Sequence, residues 1–338
     1  MKKIIKNILL IFIALFTMSC SEDNNNIPEQ PTTSASPDIY VVGKIKNIPM
    51  LWKNRTASEL TGGTYTAEAH SVTVANNDVY VAGFEKINLT KKATLWKNGN
   101  AIDLSSNAFT SYARSVTVVN SDVYVAGFEY ETSGSTFVAK VWKNGVSSNL
   151  TNGNHDALAE SIRVVNNDVY VAGYESIGFV DVAKLWKNGS ATNLTDGTHE
   201  ARAYSVAVDN NDVYVVGYEF IDGYHVAKIW KNGVGSNLTD LSVDAKAYSV
   251  AVENNNVYVA GYKGLVATLW INGEANSLST GNVLGNVARS VTLNNSDVYV
   301  VGYVYEEGKT IAKIWKNGQS NNLTESTEDT VANSIYLH

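Results

Sequence analysis

One cysteine, Cys20, is all the chain has, so no internal disulfide can staple it. Prolines number four, and three of them precede residue 38, which leaves the remainder almost free of residues that interrupt a β-ladder. No segment of the repeating region carries the apolar period of an amphipathic helix, which excludes a helical body. Positive charge is in short supply: 26 Lys and Arg stand against 33 Asp and Glu, a formal net charge of −7. With its lysines scattered, such a chain lacks the basic patches that nucleic acid or anionic lipid head groups require. Nucleophilic catalysis has no Gly-x-Ser-x-Gly elbow to start from.

What the sequence does contain is one unit written seven times. In the copy from Ala159 to Leu194, Ala159–Val165 and Val169–Tyr174 read as strands joined by the tight turn Asn166-Asn167-Asp168. Val182–Lys187 is a third strand, Asn188-Gly189 a hairpin turn, and Ala191–Leu194 a short polar fourth strand. We call these strands a, b, c and d. Strand c places a Trp at 52, 96, 142, 186, 230, 270 and 315, and strand a places a Ser at 71, 115, 161, 205, 249, 290 and 334. Four strands per unit at a period in the low forties predicts a seven-bladed β-propeller, all-β, with four antiparallel strands per blade. The chain enters at Asp38 on a strand b with no strand a before it and ends at Ala332–Leu337 on a strand a with no b after it. The C-terminal strand is therefore expected to complete the first blade and close the ring.

Spacings between copies locate the variation. Trp of c to Leu of d is 8 residues in every copy, whereas Gly of b to Trp of c is 9, 13, 15, 13, 13, 9 and 13. The differences are even, so hairpin register survives each insertion. One face of the disc is predicted to carry uniform tight turns and the other the variable b–c loops, where function usually sits.

Three groups of residues stand out on that variable face. Within the repeated Ala-x-Ser of strand a, the middle residue differs in every neighbouring pair of units but one: His70, Arg114, Glu160, Tyr204, Tyr248, Arg289 and Asn333. Small flanking residues suit the crowded axis, so the seven are expected near the channel mouth as a ligand-binding ring. The b–c loops offer the aromatics Tyr130, Phe137, Phe179, Phe220, Tyr224 and Tyr305 for stacking or anchoring. Glu85, Glu129, Glu175 and Glu219 end strand b, and Lys140, Lys184 and Lys228 in strand c point to ion pairing rather than acid–base chemistry. His155-Asp156 and His199-Glu200 occupy equivalent d–a loops, a blade width apart, too far for a shared metal. No cofactor motif is found, and the Asp of the a–b turns fits turn chemistry better than calcium.

The first twenty residues differ from the rest. Lys2, Lys3 and Lys6 precede an apolar run, Ile8–Phe16, too short to span a bilayer as an ordinary helix. Thr17-Met18-Ser19-Cys20 resembles a bacterial lipobox, with Thr17 where Leu is usual. It implies a signal peptide over 1–19 and acylation of Cys20, the lipid attachment site. Residues 20–37 read as a lipidated flexible tether, and Ser21-Glu22-Asp23 resembles the acidic export signal of surface lipoproteins. Residues 38–338 form the propeller. Its Ala183-Lys184-Leu185-Trp186-Lys187-Asn188-Gly189, Asn193-Leu194, Ala203-Tyr204-Ser205-Val206 and Val215-Val216-Gly217-Tyr218 are similar to HAF-type extracellular repeats of bacteria. They also resemble lipoprotein propellers of Bacteroidota-type envelopes. The resemblance implies secretion and an outer-membrane, cell-surface setting, and carries no shared catalytic residues.

Together these features favour a monomeric, non-catalytic binding scaffold for a glycan, peptide or envelope protein, touching membrane only through its lipid. The alternatives are an envelope polysaccharide hydrolase or lyase using Glu160, Arg114 and Arg289, and a structural surface protein.

Overall fold

A computed structural model describes residues 36–61, 66–106, 109–131, 136–280 and 285–338. The signal peptide, Cys20 and nearly all of the tether lie outside the described residues. From Pro37 to His338 the chain is one compact unit. It is a seven-bladed β-propeller of seven four-stranded antiparallel sheets, each in the order a-b-c-d. In blade 4 these strands are Ala157–Val165, Asp168–Ile177, Val180–Lys187 and Ser190–Asn193. Blade 1 is completed from the far end of the chain, with Thr330–Leu337 paired to Ile39–Ile45.

Turn chemistry fixes each blade. The Asn that opens every c–d turn has a φ near +50°, as at Asn188 (51°), and six of the seven are followed by Gly at about +80°. Its side chain also reaches back: Asn188 Oδ1 accepts from Val169 N at 2.8 Å, and Nδ2 donates to Asp168 Oδ1 at 2.8 Å. Lys187 Nζ lies 2.8 Å from the other oxygen of Asp168 and 5.1 Å from the centre of the Tyr170 ring. The a–b turn aspartates are thus bonded to Asn and Lys of their own blade, as Asp168 is to Asn188 and Lys187. In blade 6 the Asp and Lys are replaced together by Asn256 and Ile271, so the ion pair is gone, while Asn272 still accepts from Val257 N at 2.8 Å and donates to Asn256 at 2.9 Å.

Between blades the core is built by the Trp residues, all essentially buried. Trp96 of blade 2 packs with Tyr40, Val42 and Leu60 of blade 1, and Trp52 of blade 1 shares a cluster with Tyr299, Ile314 and Leu323 of blade 7. Each interface therefore buries one aromatic against apolar residues of its neighbour, a contribution of about 3 kcal/mol apiece. The repeated Ser supplies a polar counterpart at the axis. Ser161 Oγ accepts from Val206 N of the next blade at 3.3 Å, and the same bond recurs seven times around the ring. Because strand a is an inner edge, its amides need partners from outside the sheet, and the Ser provides one per blade.

The variable face differs in one respect from expectation. What the spacing suggested were loops are mostly paired hairpin. In blade 4, strands b and c stay in register to Ile177↔Val180, leaving Gly178-Phe179 as the turn. Even insertions add whole cross-strand pairs, so length differences appear as hairpin height rather than as slack. Strand d is exposed along its length in most blades, for example at Ser190–Asn193, as its polarity implied.

Candidate functional site at the channel mouth

In every blade the residue between Ala and Ser of strand a is left out of the pairing with strand b. In blade 5, Ala203 pairs with Gly217 and Ser205 with Val216, so Tyr204 is a β-bulge. His70, Arg114, Glu160, Tyr248, Arg289 and Asn333 are skipped in the same way. A bulge bends its strand and re-aims a side chain. The close approach this needs explains the repeated Gly of strand b: a Cβ on Gly217 would sit 1.8 Å from the carbonyl oxygen of Arg202. Seven bulges deliver seven side chains of five kinds to one place. They alone line a cavity of about 310 Å³ at the mouth of the channel. The sequence-level expectation that these seven lie together is met. Beyond them, strand a residues from Val72 to Leu337 line a second stretch of channel, of about 440 Å³.

The ring is electrostatically uneven. On one side, Arg114 Nε donates to Glu160 Oε2 at 2.9 Å, and Arg114 Nη1 is 3.5 Å from His70 Nε2. Burial works against the Arg114 charge, but the Glu160 carboxylate outweighs it and raises its pKa. His70 holds the Ala113 carbonyl at 3.0 Å and Glu68 at 3.4 Å. Burial keeps the His70 pKa below its usual value, against the opposing pull of Glu68. Glu68 is brought down to about 2 by the hydrogen bond with His70, against burial, with help from Lys44 at 3.0 Å. Asn333 is tied to the Ala69 carbonyl at 2.8 Å.

The other side is aromatic and cationic. Tyr204 and Tyr248 lie with ring centres 5.3 Å apart, and burial raises both phenol pKa values, so the hydroxyls stay protonated at neutral pH. The Arg289 guanidinium sits 4.6 Å from the Tyr248 ring centre and donates from Nη2 to the Tyr303 hydroxyl at 3.3 Å.

A second ring, which the sequence reading passed over, surrounds the first. It consists of the residue two before each bulge, which period-two alternation places on the same face: Glu68, Tyr112, Leu158, Arg202, Lys246 and Val287, with Val331 in blade 1. These pair with the strand b residue after the Gly, an aromatic in six blades, as in Arg202↔Tyr218 and Lys246↔Tyr262. Cations lean onto rings of the preceding blade. Arg202 lies 4.5 Å from the Tyr174 centre and Lys246 4.1 Å from that of Tyr218. Arg202 is further paired with Asp181 at 2.7 Å.

The hairpin aromatics do not converge on the mouth as one group. Phe179 stands alone at a turn, fully exposed, with a φ of +73°. Tyr130 and Phe137 are cross-strand partners with ring centres 5.1 Å apart, in a run of rings that continues through Phe128, Tyr112 and Phe84 to His70. Phe220 packs on His225, 5.0 Å between centres, while Tyr224 and Tyr305 are partly exposed on the blade 5 and blade 7 hairpins. The strand b glutamates behave as paired groups: Lys140 is 3.2 Å from Glu129, Lys184 is 2.8 Å from Glu175, and Lys228 pairs with Glu219. Glu85, which has Thr94 instead of a Lys, has its pKa raised by burial. Asp156 accepts from Phe137 N of the preceding blade at 2.7 Å and Glu200 from the Tyr218 hydroxyl of the following blade at 2.6 Å, so the two equivalent acids turn to opposite sides. Among the described residues no three of His, Cys, Asp and Glu gather as a metal-sized group.

No family model matches the chain and no curated protein matches it. Solved structures similar to it include the computationally designed Ika8 protein, at 18% identity and a TM-score of 0.47 over 88% of this chain and 90% of that one. YjhT matches at 12% and 0.45 over 78% and 96%, and a nidogen/laminin complex at 9% and 0.46 over 88% and 97%. At those values the likenesses carry no argument about a ligand.

Proposed function

We propose that this chain is a non-catalytic binding scaffold that takes a glycan, peptide or protein on its variable face, with the channel mouth as the primary site. One observation carries the reading: identical bulges in all seven blades aim side chains of different chemistry into a single open cavity. A purely structural ring would be served by one residue repeated, as the Ala and Ser beside it are. Tyr204 and Tyr248 supply stacking surface and protonated hydroxyls, a combination suited to polar ligands with an apolar face. The test is binding of the full-length protein, purified in detergent, to glycan and peptide arrays. A hit is expected to weaken by at least about tenfold in Tyr204→Ala, about 1.4 kcal/mol. Hits indifferent to that change, or no hits, would count against the mouth as the site.

We further propose that the scaffold is held at the cell envelope as an outer-membrane lipoprotein acylated on Cys20. The basic start, short apolar run and Ser19-Cys20 junction support this. Metabolic labelling with a palmitate analogue is expected to mark the wild-type protein and not Cys20→Ser, which should also leave the membrane fraction. Equal labelling of the two would overturn the assignment.

A further inference from the structure

The cavity ring carries one charge that nothing balances. Arg114 and Glu160 neutralise each other, and burial favours neutral His70, which leaves Arg289. Among the described residues Arg289 has no carboxylate partner; its Nε is buried without a hydrogen-bond acceptor and its Nη2 meets only a phenol. One blade back, Lys246 likewise has no paired carboxylate. Burial lowers its pKa, with Arg202 and Arg289 pressing the same way against the opposite pull of Glu200 and Asp244. Two cations crowd one arc of the mouth in a protein whose net charge is −7. Unpaired cations in a half-buried site cost stability unless an anion completes them.

The same arc opens outward. The b–c hairpin of blade 6 ends at Lys263↔Val266, while its neighbours run on to Ile221↔Tyr224 and Glu306↔Lys309. Two missing residue pairs lower the rim by roughly 7 Å at the usual strand rise. The notch so formed is a separate cavity of about 530 Å³, lined by Tyr224, Val243, Tyr262, Leu265 and Val287 among others. Tyr262 lies 6.1 Å, centre to centre, from Tyr248 of the mouth. Tyr248 lines the mouth beside Arg289 and Tyr262 lines the notch, so two neighbouring rings link Arg289 to the outer edge across blade 6.

We infer that this path binds the end of an acidic saccharide chain. A terminal sugar carboxylate sits against Arg289, whose guanidinium lies over the Tyr248 ring, and the following sugar ring lies on Tyr262 as the chain leaves through the blade 6 notch. A guanidinium recognises the planar carboxylate through charge-assisted hydrogen bonds, and Tyr262 presents a flat face to a pyranose ring. The inference rests on the scaffold reading above and specifies its ligand.

The test titrates the full-length protein with a glucuronate-ended trisaccharide, the matched all-glucose trisaccharide and glucuronate alone. The acidic trisaccharide is expected to bind at least about tenfold tighter than the neutral one, the range of one charge-assisted hydrogen bond. Arg289→Gln should weaken the acidic trisaccharide at least about tenfold more than the neutral one, and Arg289→Lys, which keeps the charge, should retain part of the preference. Tyr262→Ala should weaken the trisaccharide and spare the monosaccharide. Equal binding of acidic and neutral sugars, or an equal loss of both in Arg289→Gln, would overturn the inference. So would preference for a peptide with a free C-terminal carboxylate. Neutral sugars or peptides that bind at least as tightly as the acidic trisaccharide and are lost in Tyr204→Ala would sink the acidic-saccharide inference and leave the scaffold standing. Failure of every array ligand would remove both.

Discussion

A chain ending at Asp329 is expected to lose the single sharp melting transition of the full-length protein. Residues 330–338 supply the inner strand of blade 1, so their removal strips Ile39–Ile45 of a partner along its whole length. It also takes Ala332 and Ile335 out of the interface with blade 7, leaving Val41, Met50 and Trp52 to hold that side. The Ser bonds on both sides go as well: Ile335 N no longer donates to Ser290, and Val72 N loses Ser334. With net values of about 0.5–1.5 kcal/mol per hydrogen bond and about 1.5–3 kcal/mol for Ile335, the cost is roughly 5–10 kcal/mol. Typical domains have about 5–15 kcal/mol in total. The naked strand edge left behind invites pairing with other chains. Calorimetry and light scattering should show a broad, early transition and aggregation. A truncated chain that melts sharply within a few degrees of the parent would mean that the six remaining interfaces hold the ring without its closing strand.

Gly217→Ala is expected to destabilise by about 3 kcal/mol, well beyond an ordinary Gly-to-Ala change. The added methyl would meet the Arg202 carbonyl oxygen at 1.8 Å and its carbon at 2.9 Å. Both are backbone atoms of an inner strand, so neither can swing away. Relief requires that strand a move off strand b, which flattens the bulge and turns Tyr204 out of the mouth. For a domain of this size the melting temperature should fall by roughly 5 °C, and any ligand that depends on Tyr204 should weaken in parallel. Gly189→Ala is the control. Its φ is +82° but nothing lies within 4 Å of the new Cβ, so only the left-handed backbone penalty of about 1 kcal/mol applies. Equal losses from the two variants would show that the close approach at the bulge is not what repeats the glycine.

Much of this architecture was readable because the chain states it seven times. Trp96 and Trp142 define blades by recurrence alone, and the unpaired strands at Asp38 and Leu337 announce how the ring closes. Ser161 stands out by its repetition, though its partner, Val206 of the next blade, does not. That bond depends on how neighbouring sheets stagger, a relation between units that no single unit encodes. The bulges were hidden for a similar reason. A skipped residue leaves no trace in spacing, and its only sign is the strand b Gly, which has several possible causes. The seven mouth residues were found by their variability between fixed neighbours, whereas Arg202 and Lys246 were missed although period-two alternation puts them beside Tyr204 and Tyr248. Reading hairpins as loops came from taking length variation for irregularity, when even steps in sequence mean added strand pairs.

The way the two chain ends meet has a mechanical side. Asp38 and His338 exchange backbone hydrogen bonds at 2.9 Å in both directions, at the same end of an antiparallel pair. A pull applied to both termini at once would load those bonds first and then each pair behind them in turn, like a zipper opened from its free end. A pull on the amino end alone, with the load arriving through a molecule held on the face, never brings His338 under tension. The seam that is weakest when both ends are drawn apart is then carried as a passive part of the disc.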